Sequence, residues 1–266
     1  MNLGVYTLKI ERIKKIEQYL VEHESATLDT LCSVFNVSKN TIRRDISELE
    51  SKGVIKKVYG GVTLNYQEET VPYHQRQVTH ITEKAKIGLL ASDLIKDGDI
   101  IFIDSGSTTI HLIPNIKDKQ NITIITNSLN VIVESAPYPN LNVISTGGIL
   151  QRATNSFAGI ATVNFLKSLN IDKAFMATTG LSIEKGVTNT TYLEAEIKKA
   201  IVNISNKIIV MADHTKIGTA AFMTYCNLEE IDFYVTDRKP SQKYIDFFQR
   251  NNIESLYIKE DKGAEF

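Results

Sequence analysis

Two stretches of this 266-residue chain hold residue types whose spacing suits chemistry. The first is Asp104-Ser105-Gly106-Ser107-Thr108-Thr109, directly after the apolar run Ile100-Ile101-Phe102-Ile103. In such a loop Gly106 permits close backbone approach, and free amides and hydroxyls supply the donors that a phosphate needs. An ordinary Ser/Thr-rich helix cap explains the same run, and short motifs often occur by chance. The second stretch is Ser38-Lys39-Asn40-Thr41-Ile42-Arg43-Arg44. Here Lys and Arg suit the phosphates of a nucleic acid, while Asn and Arg can also make paired contacts to base edges. A solvated basic helix of an interaction domain is the plainer reading.

The elements around each stretch favour one reading over the other. Ile13, Ile16 and Leu20, with Ile10 before them, recur at helical spacing. Thr27 suits the cap of a second helix with Leu28, Leu31 and Phe35 on one face, and Asn36 suits a left-handed turn. Ser38 suits the cap of a third helix with Ile42, Ile46 and Leu49 inside, ended by Gly53. Lys39, Asn40, Arg43 and Arg44 then face outward, with Thr41 near the margin. Residues 54–64 change period and predict a hairpin on a Gly60-Gly61 turn. Three helices and a hairpin make a winged helix-turn-helix, whose third helix enters the major groove. A protein–protein adaptor using this module fits the hairpin and the basic helix less well.

Charge agrees. Residues 1–60 hold ten Lys/Arg against eight Asp/Glu, although the whole chain has a net charge of −1. Six of those basic residues lie within 36–58. That gathers positive charge where a polyanion would bind.

The chain turns polar over residues 65–80, with Gln67-Glu68-Glu69 and Pro72, and this predicts a linker. The expected division is 1–64 for DNA binding, 65–80 as linker and 81–266 for an α/β domain. In the last part a helical period spans 85–95, and strands are predicted at 99–104, 122–126, 142–145, 173–177, 207–211, 233–236 and 255–258. Alternation of this kind argues a largely parallel sheet, with ligands received at the carboxyl ends of its strands. Thr126-Asn127, Gly147-Gly148, Thr179-Gly180, and Asp213 with Lys216 all stand at such ends.

Composition removes other classes. Apolar residues make up 42%, yet the longest unbroken apolar run, Ile208 to Ala212, is five residues, and a membrane span needs about twenty. Lys9, Arg12, Lys14 and Lys15 interrupt any early apolar stretch, so a cytoplasmic chain is expected, without a signal peptide. Cys32 and Cys226 are far apart, and His23, His74, His80, His111 and His214 show no ligand spacing, so no metal or cofactor is expected.

From residue 10 to 64, Val37-Ser38-Lys39-Asn40-Thr41-Ile42-Arg43-Arg44-Asp45, then Leu49, Gly53 and Tyr59-Gly60-Gly61, resembles the helix-turn-helix of DeoR-type regulators of bacterial sugar catabolism. Tyr59 departs from the family's more usual His. The remainder, from about Arg76 and Lys84 to Thr236-Asp237, is similar to the family's effector domain, which itself resembles the ribose-5-phosphate isomerase and CoA-transferase fold. On this resemblance Asp104, Gly106, Ser107, Thr108 and Thr109 correspond to a phosphate-contacting loop. Thr126, Asn127, Gly147, Gly148, Arg152, Asp172-Lys173-Ala174-Phe175, Glu194, Glu196, Lys198, Asp213 and Lys216 match the other pocket segments.

The charges fit. Arg152, Lys173, Lys198 and Lys216 could balance a phosphate or carboxylate, and Asp104, Glu194 and Asp213 could accept sugar hydroxyls. Glu194 and Lys198 stand at i, i+4 and could equally pair with one another. The resemblance implies a repressor of a carbohydrate catabolic operon that binds double-stranded operator DNA as a homodimer or homotetramer and is released by a phosphorylated sugar or sugar acid. The rival is an enzyme, a sugar-phosphate isomerase or lyase, since Glu194, Asp213, Lys173 and Lys216 are able to do acid–base work.

Overall fold

In the computed structural model the described residues are 3–23, 25–51, 54–58, 60–64 and 71–258. They form two compact units, divided between Glu69 and Thr70. Gly53, Tyr59 and residues 65–70 lie outside the described residues, and with them the expected helix stop, the residue that departs from the family's usual His, and the first six residues of the expected linker.

The first unit runs α1 (Leu3–His23), β1 (Ser25–Thr27), α2 (Leu28–Phe35), α3 (Lys39–Ser51), β2 (Ile55–Val58) and β3 (Gly61–Leu64). Ile13, Ile16, Leu20, Leu31, Ile42, Ile46 and Leu49 are buried together with Val54, Ile55 and Val62. Thr27 caps α2 by accepting from the Thr30 amide at 3.0 Å. Asn36 closes it at φ 48°, ψ 50°, the left-handed turn that Asn tolerates. Ser38 accepts from the Thr41 amide at 3.3 Å and so starts α3.

The wing differs from the sequence expectation. Val58 pairs with Gly61, so Gly61 is already strand and only Gly60 of the two glycines lies in the turn. The two glycines have different duties. Gly60 supplies φ +84° for the turn, whereas a Cβ on Gly61 would stand 2.3 Å from the Ala26 carbonyl oxygen. That close approach exists because β1, unforeseen at three residues, adds to β3 as a third antiparallel strand.

The second unit opens with α4 (Tyr73–Val78) and α5 (Ile81–Ser92), so the stretch expected as linker up to residue 80 is in its latter half ordered helix. Then come β4 (Ile100–Ile103), a 3₁₀ turn at Thr109–Leu112, α6 (Ile113–Ile116), β5 (Ile122–Thr126), α7 (Leu129–Ser135) and β6 (Leu141–Ser145). A hairpin of β7 (Ile149–Gln151) and β8 (Ser156–Ala158) precedes α8 (Ile160–Leu166) and β9 (Ile171–Ala177). After β10 (Gly180–Ser182), β11 (Gly186–Asn189), α9 (Tyr192–Ile204) and β12 (Ser205–Met211) come β13 (Met223–Cys226), β14 (Phe233–Thr236), α10 (Gln242–Arg250) and β15 (Glu254–Tyr257).

Seven strands form one parallel sheet in the order β15-β14-β12-β9-β4-β5-β6. Side chains alternate across it. Phe102, Ala174, Met176, Ile208 and Val210 join a core with Leu166, Ile197, Ile201 and Phe248, from α8, α9 and α10. Ile101, Ile103, Phe175, Ile209 and Met211 face the other core, with Ile87, Ile113, Ile116 and Val131 from α5, α6 and α7. A period of two along each strand therefore builds helix–sheet–helix layers. The smaller antiparallel sheet β10-β11-β13 and the β7–β8 hairpin were not foreseen, because their strands are only three or four residues long.

Chain order reverses at β4. From it the sheet grows through β5 and β6 one way, and through β9, β12, β14 and β15 the other. The crevice past the carboxyl ends of β4 and β9 is thus the topological switch point, where open α/β sheets receive ligands.

One ion pair fixes α3 on α1. Arg12 Nε donates to Asp45 Oδ2 at 2.6 Å and Nη2 to Oδ1 at 3.2 Å, with Asp45 1% exposed. The Arg12 guanidinium is raised above its ordinary value, chiefly by this hydrogen bond. Removing Arg12 strands a buried carboxylate, while removing Asp45 leaves an arginine that can still reach water. Arg12→Ala is therefore expected to destabilise the first unit by about 3–5 kcal/mol, and Asp45→Ala by less. Hydrogen exchange of the α3 amides in the full chain measures both, and the reverse order would contradict the assignment.

Candidate functional site

On α3 the side chains of Lys39, Asn40, Arg43, Arg44 and Ser47 are exposed, while Ile42, Asp45, Ile46 and Leu49 are buried. A groove between this helix and the wing is lined by Lys39, Arg43, Ser47, Lys57 and Gly60. Among the expected contact residues, Ser38 and Thr41 share a 2.9 Å hydrogen bond, so both hydroxyls serve the helix cap. Lys39 forms an exposed ion pair with Asp29 at 2.6 Å. Lys57 on the wing pairs with Glu50, and Lys56 beside it is exposed. Asn40, Arg43 and Arg44, also on the outer face, have no side-chain partner among the described residues.

In the second unit the switch point is held by Asp104. Its Oδ2 accepts from the Ala177 amide at 3.0 Å and from Lys198 Nζ, which also donates to the Ala177 carbonyl at 2.8 Å. Tyr225 donates its hydroxyl to the same carbonyl at 3.2 Å, and burial pushes its phenol well above the ordinary value. Asp104 and Lys198 are 2% and 3% exposed. Asp104 is therefore a strand clamp, where a sugar-hydroxyl acceptor was expected, and Lys198 pairs across the sheet with it rather than along the helix with Glu194.

The loop beyond Asp104 splits into spent and unspent groups. Thr109, fully buried, donates to the carbonyls of Asp104 and Gly106 at 2.7 and 3.0 Å and so stiffens the loop. Gly106 is needed because a Cβ there would stand 2.1 Å from the Ala177 Cβ. The approach that Gly106 permits is thus that of β9, where a ligand's approach was expected. Among the described residues, the amides of Ser105 to Thr108 and the hydroxyls of Ser105 and Thr108 have no hydrogen-bond partner. Ser107 accepts from Lys84 Nζ at 3.0 Å.

Lys84 was not among the site residues expected from the sequence. It is 4% exposed, and no carboxylate of the described residues stands within ion-pair distance of it. Burial pulls it down to about 8, opposed by Asp213 and assisted by the charges of Lys216 and Arg76. A signal for it was available, since Lys84 stands in phase with the buried positions Ile87, Gly88 and Ala91 of α5. His111, one turn beyond the loop, is lowered by burial and by Lys84.

Other expected residues join this end of the sheet. Asn127 follows β5, the neighbour of β4; its side-chain amide donates to the Phe157 carbonyl at 3.3 Å, while its buried Oδ1 has no partner among the described residues. Asp213 follows β12 and accepts from the amide and hydroxyl of Thr215. Burial raises its carboxyl, but the Thr215 hydrogen bonds and the nearby Lys216 and His80 outweigh that and hold it below the ordinary value. Lys216 is half-buried and has no ion-pair partner among the described residues. Beside them, His214 Nδ1 meets Asp237 Oδ2 at 2.8 Å, a contact that sequence spacing had not suggested.

Several expected residues take structural posts. Thr126 donates to the Ile103 carbonyl at 2.6 Å, bridging β5 to β4. Gly147 and Gly148 hold φ of +63° and +117°, and a Cβ on Gly148 would strike Thr162 Oγ1 at 2.2 Å. Glu194 accepts from Asn189 at 2.8 Å and Thr191 at 3.0 Å at the start of α9. Arg152 is exposed at the tip of the β7–β8 hairpin. Lys173 is misplaced for the site. It pairs with Asp99 at 2.5 Å near the beginning of β9, four residues or about 13 Å from the carboxyl end. In a parallel strand only the last residues reach the ligand crevice, so Lys173 serves the opposite rim.

Both parts of the chain match known families. Residues 12–68 match the DeoR-like helix-turn-helix domain and residues 79–238 the DeoR C terminal sensor domain. The HTH-type transcriptional regulator IolR of Bacillus subtilis is 41% identical over 92% of this chain and 98% of its own. The HTH-type transcriptional regulator GolR of Listeria innocua is 35% identical over 90% and 94%, and the HTH-type transcriptional repressor GlcR of Bacillus subtilis is 32% identical over 96% and 98%. Among solved structures, ribose 5-phosphate isomerase from Plasmodium falciparum is similar at 14% identity and a TM-score of 0.38, covering 51% of this chain and 52% of that one. Among the described residues no helix is long and apolar enough to cross a membrane.

The Gly106 contact gives a direct test of the switch point. Gly106→Ala should cost about 1–3 kcal/mol by overpacking. Ala177→Gly on top of it should recover most of that loss, because the next contacts of the new Cβ are at 3.5 and 3.6 Å. Urea unfolding of both variants measures this, and simple additivity would contradict the contact.

Proposed function

The chain belongs to the DeoR family of helix-turn-helix transcriptional regulators, and from that premise we propose that it represses a carbohydrate catabolic operon and is released from its operator by a phosphorylated sugar or sugar acid. That it is a DNA-binding regulator and not an enzyme follows from its relatives, which are named as regulators over nearly their whole length. The effector reading goes further. The observation that carries it is the unspent loop of Ser105 to Thr108 beside the uncompensated, buried Lys84. Free amides next to a desolvated ammonium favour a compact anion over a neutral sugar. Asn127 Oδ1 and Asp213 supply acceptors for hydroxyl groups at neighbouring strand ends.

On the DNA side, Asn40, Arg43 and Arg44 are read as the groove contacts, with Lys56 and Lys57 of the wing on the phosphate backbone. Operators for such a helix are two half-sites about one turn or a multiple apart, which calls for a symmetric dimer or tetramer. Induction then requires that the effector bind the DNA-incompetent arrangement more tightly than the competent one.

Two outcomes are expected. Replacing Arg43 and Arg44 together by Ala should weaken operator binding and lower the slope of log K against log salt by about 0.9 for each DNA phosphate no longer neutralised. Anisotropy titrations at several salt concentrations measure this, and an unchanged affinity in the folded variant would remove α3 from the interface. Phosphate affinity should fall as pH rises past the Lys84 value of about 8, because the free protein sheds the proton that the bound anion requires. Calorimetry should find binding weaker by about tenfold or more at a pH near 9.5 than near 7.5. A flat profile would take Lys84 out of the site.

A further inference from the structure

The two edges of the seven-stranded sheet are built differently. β15, at one end, opens with the exposed Glu254 and follows α10, whose Lys243, Asp246 and Arg250 are exposed. β6, at the other end, reads Leu141-Asn142-Val143-Ile144-Ser145 and pairs with β5 alone among the described residues. Its outer row of backbone donors and acceptors therefore has no ladder partner there. An edge of this kind is a template for another strand, and proteins that keep an edge free blunt it with charge. β15 has that protection and β6 lacks it.

The shortage of charge extends well beyond the strand. From residue 120 to residue 166 the only charged side chains are Glu134 and Arg152, in a chain that is 23% charged. That span is the whole flank around β6, from β5 through α7, β6 and the β7–β8 hairpin to α8, and α7 packs against both β6 and β8. Apolar side chains stand open on it. Val133 of α7 is 63% exposed and Ile149 of β7 59%, with Leu150 next to it at 37%. Val143 and Ile144 of β6 are half-buried. Depleted charge with exposed apolar groups is the composition of a protein interface's core.

The same composition says what covers the flank. A nucleic acid or an acidic partner would find one cation there, Arg152. Glu134 and Arg152 are opposite in sign, so the flank is neutral and two copies of it do not repel one another. Backbone donors and acceptors recur along a strand, so β6 turned about a two-fold axis can meet itself as an antiparallel pair. We propose that a second copy of this chain joins at this edge, β6 against β6, so that two seven-stranded sheets run on into one, with Val133, Ile149 and Leu150 closing around the seam. This rests on the reading of the regulator as a symmetric dimer or tetramer and assigns the surface that makes it. Val143, the middle residue of β6, then faces its own copy across the axis.

Sedimentation equilibrium of the full chain at micromolar concentration tests this. Wild type is expected at two or four times the 29.8 kDa of one chain. Val133→Lys combined with Ile149→Lys, both at exposed positions, should halve that mass, and each alone should weaken association about tenfold or more. Val143→Lys sets like charges directly opposite one another and should halve the mass by itself. It is half-buried, so the two surface variants keep the test open should it fold poorly. Glu254→Lys, on the other edge, should leave the mass unchanged. If the folded Val133→Lys/Ile149→Lys variant keeps the wild-type mass, the β6 flank is overturned as the seam while the oligomer stands. If wild type is monomeric both alone and with operator DNA, the oligomer reading and this inference fall together.

Discussion

At the end of β4 the carboxylate of Asp104 accepts one hydrogen bond from the Ala177 amide and another from Lys198, and these bind two strands and a helix at the point where the sheet reverses its order. Burying both charges is expensive, and the pair holds because each partner has its remaining bonds made, Lys198 to the Ala177 carbonyl and Asp104 to the strand amide. Everything at the crevice follows from that clamp. β9 is drawn so near β4 that only glycine fits at 106. With Asp104 and Thr109 consumed in fixing the loop's ends, its middle amides are left facing no acceptor among the described residues.

Charge balance gives the crevice its chemical bias. Asp104 is neutralised by Lys198, and Asp213 is satisfied by Thr215, whereas Lys84, Lys216 and the Arg76 guanidinium lack partners of opposite sign among the described residues. An anion supplies what is missing, and Lys84, already drawn down to about 8 by burial, gains most from its arrival. The first unit follows the opposite plan. Its deeply buried carboxylate, Asp45, is fully paired to Arg12, and Arg43 and Arg44 on the outer face have no ion-pair partner among the described residues. A rigid internal pair thus holds the helix while free cations meet the partner.

Periodicity made the layers legible. The unbroken apolar runs within residues 99–104 and 207–211 placed buried strands, and Thr27, Asn36 and Ser38 marked the helix ends that the structure shows. Short elements escaped, because β1, β7, β8 and β10 are three residues each and too brief for a period to register. Site residues divided on a different ground. Side-chain type suggested Thr126, Thr109, Glu194 and Lys173, but type does not tell whether a hydroxyl or charge is already consumed, nor at which end of a strand it stands. The informative signal was phase. Asp45 with Ile42, Ile46 and Leu49, and Lys84 with Ile87, Gly88 and Ala91, are charged residues on a buried stripe, and both prove to be organising groups.

The claim on which the account turns is that an anion sits on the amides between Ser105 and Thr108. Selective nitrogen-15 labelling of glycine and serine reports on them directly, with Gly106 in the middle of the loop. Titration with a sugar phosphate should move the amide resonances of Ser105, Gly106 and Ser107 downfield in step with saturation, as charge-assisted hydrogen bonds form. Saturable binding that leaves these three resonances unmoved, while others shift, would place the ligand elsewhere and contradict the account.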